Sequence, residues 1–401
     1  MNYILSDEPR IRQQLLPFTF TRPVCDIRIG ILTIREKWEH ELAAKVSSQT
    51  EEYLSKKFPV SFSSKEDNVW INGAILPTAA LIKAIQSLGV NEALIEDKIF
   101  IAINTGKEKL QQFSIDRVSN NFSKKEFKVT TDNIMITRVW DIFSKNDRAL
   151  QQDFERLCKG KKSAKVSDTN TLLGKDIFIE AGAKLECAIL NSNGGPIYIG
   201  KDAEVMEGAI LKGPVALCEG SVVKAGAKIY GATTIGPHSK VGGEISNAVI
   251  FGYSNKGHDG FLGNAVIGEW CNLGADTNNS NLKNNYSIVK VWDYTENKEI
   301  STGLTFCGLM MGDHSKCGIN TMFNTGTVVG VACNIFGGDF PKKFIPSFSW
   351  GGAMGFMLHD LDKACETETR MFERRHKNFD KTERDILTYI FKQTEESRLV
   401  H

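Results

Sequence analysis

From Ile199 onward an aliphatic residue returns at every sixth position: Ile199, Val205, Leu211, Leu217, Val223, Ile229, Ile235 and Val241. The fifth position of the same hexads is Ala203, Ala209, Val215, Ser221, Ala227, Thr233, Ser239 and Ile245, small in all but two. A period of six is neither the 3.6 of a helix nor the 2 of a strand, and its persistence marks a solenoid. One large aliphatic points inward per short strand, a small residue packs at the tight corner, and glycine serves the turns. Three hexads close a triangular coil, so the spacing predicts a left-handed parallel β-helix over 170–340.

The pattern breaks at 247–261, resumes at Ile267 and Leu273, and breaks again at 276–311. Later glycines (Gly312, Gly318, Gly326, Gly330, Gly337, Gly338) with aliphatics between them extend the coils to about 340. Breaks in a solenoid read as loops leaving the stack, where function is usually placed.

The flanks differ. Residues 1–165 alternate apolar runs (NYIL, VWINGAIL, KIFIAI) with helical patterns (PTAALIKAIQSL, DIFSKNDRALQQDFERL), the mark of a layered α/β domain. The polar stretch 104–133 reads as a long loop. Residues 341–401 carry apolars at helical spacing (Leu361, Cys365, Met371, Phe372, Phe379, Ile386, Leu387, Ile390, Phe391), predicting a helical arm on the solenoid or on a neighbouring subunit.

Composition narrows the class. Lys+Arg 49 against Asp+Glu 48 leaves a net charge of +1, which excludes a global basic field for nucleic acid. No run of eighteen apolar residues occurs, so no membrane-spanning helix is expected, and the start lacks an apolar signal segment. Nine cysteines stand singly with no C-x-x-C, which reads as buried reduced thiols in a cytoplasmic protein and as no zinc knuckle.

The breaks hold the densest chemistry. His258 lies between Gly257 and Asp259, and Glu244 lies one coil and a loop upstream, so its carboxylate could stand beside the imidazole. A carboxylate on one ring nitrogen leaves the other to act as a general base. Asparagines at 272, 278, 279, 281, 284 and 285 could hold hydroxyls and amides, and Lys256, Lys283 and Lys290 could hold a phosphate. The alternative is that His258 is an ordinary loop residue and the asparagines form turns or a ladder.

The segment Lys256-Gly257-His258-Asp259-Gly260-Phe261-Leu262-Gly263-Asn264-Ala265-Val266-Ile267-Gly268, followed by Asn272-Leu273-Gly274-Ala275-Asp276-Thr277, carries a resemblance. It resembles K-x-G-H-x-x-Y-L-G-D-A-x-I-G and x-x-x-N-I-G-A-G-T of the bifunctional N-acetylglucosamine-1-phosphate uridylyltransferase / glucosamine-1-phosphate acetyltransferase family. The resemblance implies acetyl-CoA-dependent N-acetylation of an amino-sugar phosphate. It implies His258 as the base, oriented by Glu244, with Asn272 on the amino sugar and Asn281 near the thioester. It also implies a homotrimer with sites between subunits. Phe261 stands where the family has a substrate-binding tyrosine, and Ser246 where it has a phosphate-gripping lysine. Lys228 or Lys240 is left to replace its phosphate arginine, and Lys283 or Lys290 to replace a downstream lysine. For the pantetheine arm, the last coils offer Gly330, Ala332, Gly337 and Gly338.

The N-terminal segment YILSDEPRIRQQLLPFTFTRP resembles the strand–loop opening of the same family's nucleotidyltransferase domain, which is Rossmann-like. Asp7, Glu8 and Pro9 replace the loop glycines that cradle a triphosphate, and Ala74 stands where the family binds Mg²⁺ through an aspartate. Arg10, Arg12, Arg22 and Asn72 are the candidates for a nucleotide-sugar site with UTP or a UDP-sugar, or else the arginines pair with Asp7, Glu8 and Asp26. Mg²⁺ is implied only if this domain is active. The divergent type with a shortened first domain is the expected group, and UDP-N-acetylglucosamine synthesis the expected setting. Three other readings stay open. One is an acyltransferase on a nucleotide-linked amino sugar. Another is a trimeric sensor or scaffold. The third is a zinc lyase using His238, His258 and His314, although their spacing gives no ligand set for a metal.

Overall fold

The computed structural model describes residues 1–96, 99–109, 122–128 and 133–400. The chain divides into two compact units. The first comprises 1–15, 21–27 and 32–138, and the second comprises 16–20, 28–31 and 139–401.

The first unit is built on a six-stranded mixed sheet. Its strands are β1 (Asn2–Ser6), β2 (Ser47–Gln49), β3 (Asn68–Asn72), β4 (Glu92–Glu96), β5 (Ile99–Asn104) and β6 (Ser123–Glu126), in the order β2-β1-β3-β5-β4-β6. The apolar runs seen in the sequence are β1, β3 and β5. Strand β6 lies inside the stretch read as loop and pairs parallel with β4. Within that stretch, residues 110–121 and 129–132 lie outside the described residues. Helices start where side chains satisfy their free N–H groups: Glu8 caps α1 (Pro9–Gln14), a Thr33–Glu36 capping box opens α2 (Ile34–Leu42), and Thr78 caps α3 (Ala79–Gln86).

The second unit is the expected β-helix, three stacked parallel sheets with one short strand of each per coil. The inward column of one face reads Ile199, Leu217, Ile235, Ile250, Ile267, Met311, Val329 and Ile345, all inside one buried core. Each such side chain contributes about 1.5–3 kcal/mol by leaving water.

Contrary to expectation, no loop leaves the stack at 247–261. The coil continues through Val249–Ile250, Asn255–Lys256 and Phe261–Gly263. Two physical causes hid it. The inward positions run Val241, Ile245, Ile250, Lys256, Leu262, so the corners before and after Ile245 are shorter and the hexad phase shifts. One inward slot is also filled by a lysine. The second break is real: between Asn279 and Met310 the chain leaves the stack and forms a hairpin, Lys290–Asp293 against Lys298–Ser301.

Glycine does not serve every turn. One corner takes left-handed φ at His238, Tyr253, Trp270, His314, Ala332 and Phe348. His238 lies tilted against Tyr253, with ring centroids 5.1 Å apart, and Tyr253 stacks on Trp270 at 4.4 Å. The expected helical arm is present as α4 (Leu361–Glu373) and α5 (Lys381–Gln393). It extends the ladder by placing Phe372 3.9 Å from Trp270. Seven of the nine cysteines are buried as expected, whereas Cys158 is half-buried and Cys187 exposed.

Candidate active site

On the outer side of the face that contains Val241, strand register aligns Lys240, Asn255, Asn272, Lys316 and Asn334. Two places on from Asn255, Asn272 and Lys316 stand Gly257, Gly274 and Gly318, which add no side chain to the floor. Helix α4 raises a wall beside them with Met371, and the turn that follows the helix adds Arg374 and Arg375. Together they enclose a cleft of about 840 Å³, with Tyr253 and Trp270 at one side and the exposed His258 at its edge. This is the size and mixed lining of a small-molecule site.

The cleft is basic. Lys224, Lys240, Lys316, Arg374 and Arg375 all line it. Lys316 is matched by the buried Glu368 of α4, which also accepts a 2.7 Å hydrogen bond from His314 and so has its carboxyl held at about 2. Among the described residues no carboxylate forms an ion pair with Lys224, Lys240, Arg374 or Arg375. Burial, and then Arg375 and Lys224, lower the pKa of Lys240; burial, and then Arg374, lower that of Arg375. Cations that depress one another are stabilised by an anion between them.

Of the residues singled out from the sequence, the cleft brings together Lys240, His258 and Asn272, whereas Lys228 does not line it. Glu244 is not on His258: its carboxylate accepts the hydroxyl of Tyr230, the next residue but one along the neighbouring strand. Lys256 cannot reach a ligand, because it is 1% exposed and its Nζ donates to the backbone carbonyls of His258 and Asp259. Phe261 and Asn281 do not line the cleft. The Phe261 ring lies against Gly263, and the Asn281 amide donates to Asn264 at 2.8 Å. Lys283 donates to the Ile288 carbonyl, and Lys290 sits in the hairpin. Gly330 is packed under Ser347, Ala332 is a buried corner residue, and Gly337 lies in the turn after Asn334–Ile335. None of these three lines the cleft either.

The residues missed were Asn255, Asn334, Lys224, Lys316 and the arm arginines. The strand asparagines and Lys316 each stand one place before an inward position, so the hexad frame held the signal. Nothing in the frame foretells Arg374 and Arg375, which the turn after a separate helix delivers.

In the first unit the loop acids are already engaged. Glu8 accepts the Ile11 N–H at 2.7 Å, so a carboxylate occupies the start of α1. Asp7 pairs with Arg12 at 3.3 Å and accepts the Thr50 hydroxyl at 2.6 Å; burial still raises it to about 6. Arg12 also donates to the Tyr53 hydroxyl, and Arg22 is buried, while Arg10 is exposed. Asn72 bonds the Phe100 carbonyl and the Ala74 N–H, and Ala74 itself is buried. A magnesium ion needs oxygen donors free to turn to it, and this set does not fit one. Neither do the three histidines form a zinc site: His238 lies tilted against Tyr253, His314 bonds Glu368, and only His258 of the three lines the cleft.

Fold and cleft together define a transferase of the hexapeptide-repeat kind, carried on one chain with an α/β unit. Residues 3–162 match the family described as sugar nucleotidyl transferase. The chain is 24% identical over 384 residues to the bifunctional sugar-1-phosphate nucleotidylyltransferase/acetyltransferase of Sulfurisphaera tokodaii, covering 81% of this chain and 94% of that protein. It is 25% identical to the bifunctional protein GlmU of Wigglesworthia glossinidia brevipalpis, covering 61% of this chain and 59% of that one. Among solved structures, the polySia specific acetyltransferase NeuO aligns at 16% identity and a TM-score of 0.29 over 52% of this chain and 99% of its own. The resemblance to the bifunctional nucleotidyltransferase/acetyltransferases therefore stands. No described helix is long and apolar enough to cross a membrane.

Proposed function

We propose that the β-helix catalyses acetyl transfer from acetyl-CoA to the amine of an amino-sugar phosphate of the glucosamine-1-phosphate type. The observation that carries this reading is an exposed imidazole, His258, at the edge of a cleft with unpaired cations and a column of asparagines. His258 accepts a proton from the acceptor amine as its nitrogen attacks the thioester carbonyl; the C–S bond breaks and the thiolate takes a proton. Asn272 and its column neighbours hold the sugar hydroxyls, and Lys224, Lys240, Arg374 and Arg375 hold phosphate. The working unit is a homotrimer in a cytoplasmic setting. Exposed Ile189 and Ile210, adjacent in register on one face, support the association, and a solution mass three times 44.5 kDa checks it.

For the first unit, the carboxylate of Glu8 at the start of α1 opposes a triphosphate there, and the reading is sugar-nucleotide binding without nucleotidyl transfer. The experiment is thiol release from acetyl-CoA with glucosamine-1-phosphate, wild type beside His258→Ala, followed by pyrophosphate release with UTP. Turnover lost in the variant supports the reading. Thiol release with UDP-linked amino sugars alone shifts the acceptor to the nucleotide-linked class. Pyrophosphate release overturns the binding-only role of the first unit.

A further inference from the structure

Along the face that contains Val241, the inward column is Leu185, Val205, Val223, Val241, Lys256, Leu273, Cys317 and Ile335. Lys256 is its one cation, and its side chain is 1% exposed. Aliphatics fill the equivalent slot above and below, so the coil geometry does not demand a lysine there. Putting an ammonium in that slot forgoes the transfer energy of an aliphatic and strips the charge of water.

What the ammonium does instead is local. It donates to the carbonyl of His258, to that of Asp259 at 2.9 Å, and to that of Gly242 on the coil before at 3.4 Å. The first two belong to the segment 257–260, which joins Asn255–Lys256 to Phe261–Gly263 and carries the imidazole into the cleft. That segment contains Gly257, open on its Cβ side, and Gly260, at φ +111°, so its own backbone is permissive. Its other ties are two: the Asp259 carbonyl accepts the Asp276 N–H at 3.1 Å, and the Gly260 carbonyl accepts the Glu244 N–H at 3.2 Å. The titratable groups acting on the ammonium are Asp259, Cys317 and Asp276, while burial draws it down to about 8.

We propose that Lys256 is a positioning residue that anchors the His258 segment from inside the coil and so fixes where the imidazole stands. Its catalytic consequence rests on the acetyl-transfer reading; its structural consequence does not.

The test compares wild type, Lys256→Met and Lys256→Gln by hydrogen–deuterium exchange and by steady-state kinetics. The expected result is exchange at 257–260 faster by about tenfold or more in Lys256→Met, with the hexads of 217–241 unchanged. The same variant loses about 10- to 100-fold in kcat with the KM of both substrates held, since a misplaced base fails at the chemical step. Lys256→Gln, which keeps a donor on a shorter stem, recovers part of both. Unchanged exchange at 257–260 in a folded variant overturns the proposal, and so does a loss that appears in KM with kcat intact. Should Lys256→Met not fold, Lys256→Gln carries the same exchange comparison. A wild type without acetyl transfer sinks the acetyl-transfer reading alone, because the exchange result still decides the anchoring.

Discussion

The molecule has two places built to face an anion, and they are finished in opposite ways. At the loop before α1 the chain supplies its own anions: Glu8 takes the Ile11 N–H, and Asp7 takes Arg12, Thr50 and the Val24 N–H. At the β-helix cleft four cations line one wall without a carboxylate partner among the described residues, and burial first, then the neighbouring cations, lower Lys240 and Arg375. A charge that is satisfied within the fold stabilises the fold; one left unsatisfied stabilises a complex. The contrast is what the proposed function rests on: chemistry at the second place and a binding role at the first.

The comparison can be broken most sharply at His258. His258→Ala lowers kcat by about 10²- to 10⁴-fold in the thiol-release assay, the usual loss of a general base, while the oligomer by light scattering is unchanged. Retention of turnover would remove the imidazole from the chemistry. The next effect is on stability. Glu368→Gln leaves Lys316 and His314 without their shared carboxylate and costs about 3 kcal/mol in chemical denaturation. The sign follows from the depressed carboxyl: its contribution is full above the ordinary value of 4.5 and is lost as pH falls toward about 2. Wild-type stability therefore drops across that window, and the Gln variant shows a flatter acid limb.

A smaller effect is expected at the arm. Arg374→Ala with Arg375→Ala raises the KM of the phosphate-bearing substrate by about tenfold or more and weakens its salt dependence, with kcat nearly kept. Acetyl-pantetheine, which lacks the phosphates of acetyl-CoA, tells whether the donor or the acceptor uses the pair. The smallest effect belongs to the first unit. Glu8→Gly frees the start of α1 at a cost of about 1 kcal/mol or less and is expected to tighten UDP binding by calorimetry. No change in UDP binding would end the idea that Glu8 holds an anion's place.

How far the sequence could be read depended on the kind of constraint. The β-helix was legible because the inward aliphatics repeat at a fixed interval, and so was the arm, because its apolars return at helical spacing. His258 and Asn272 were legible through a short motif. The coil at 247–261 was not, because shortened corners moved the phase and Lys256 broke the hydrophobic signal in the very slot that carries it. Nor was the fate of Glu244, since which hydroxyl or imidazole a carboxylate meets is set by neighbouring strands, and here Tyr230 meets it.

The sequence by itself determined the stack: a side chain that must leave water every sixth residue admits few other arrangements. Only the tertiary structure decided which charges stand in the cleft, because Lys224 and Arg375 are 151 positions apart and meet where the turn after α4 lies against the coils. It also decided which lysine faces a ligand and which faces the core. Lys240 and Lys256 sit on adjacent strands of one face, but Lys240 points outward and Lys256 inward, and a single step in register separates the two outcomes.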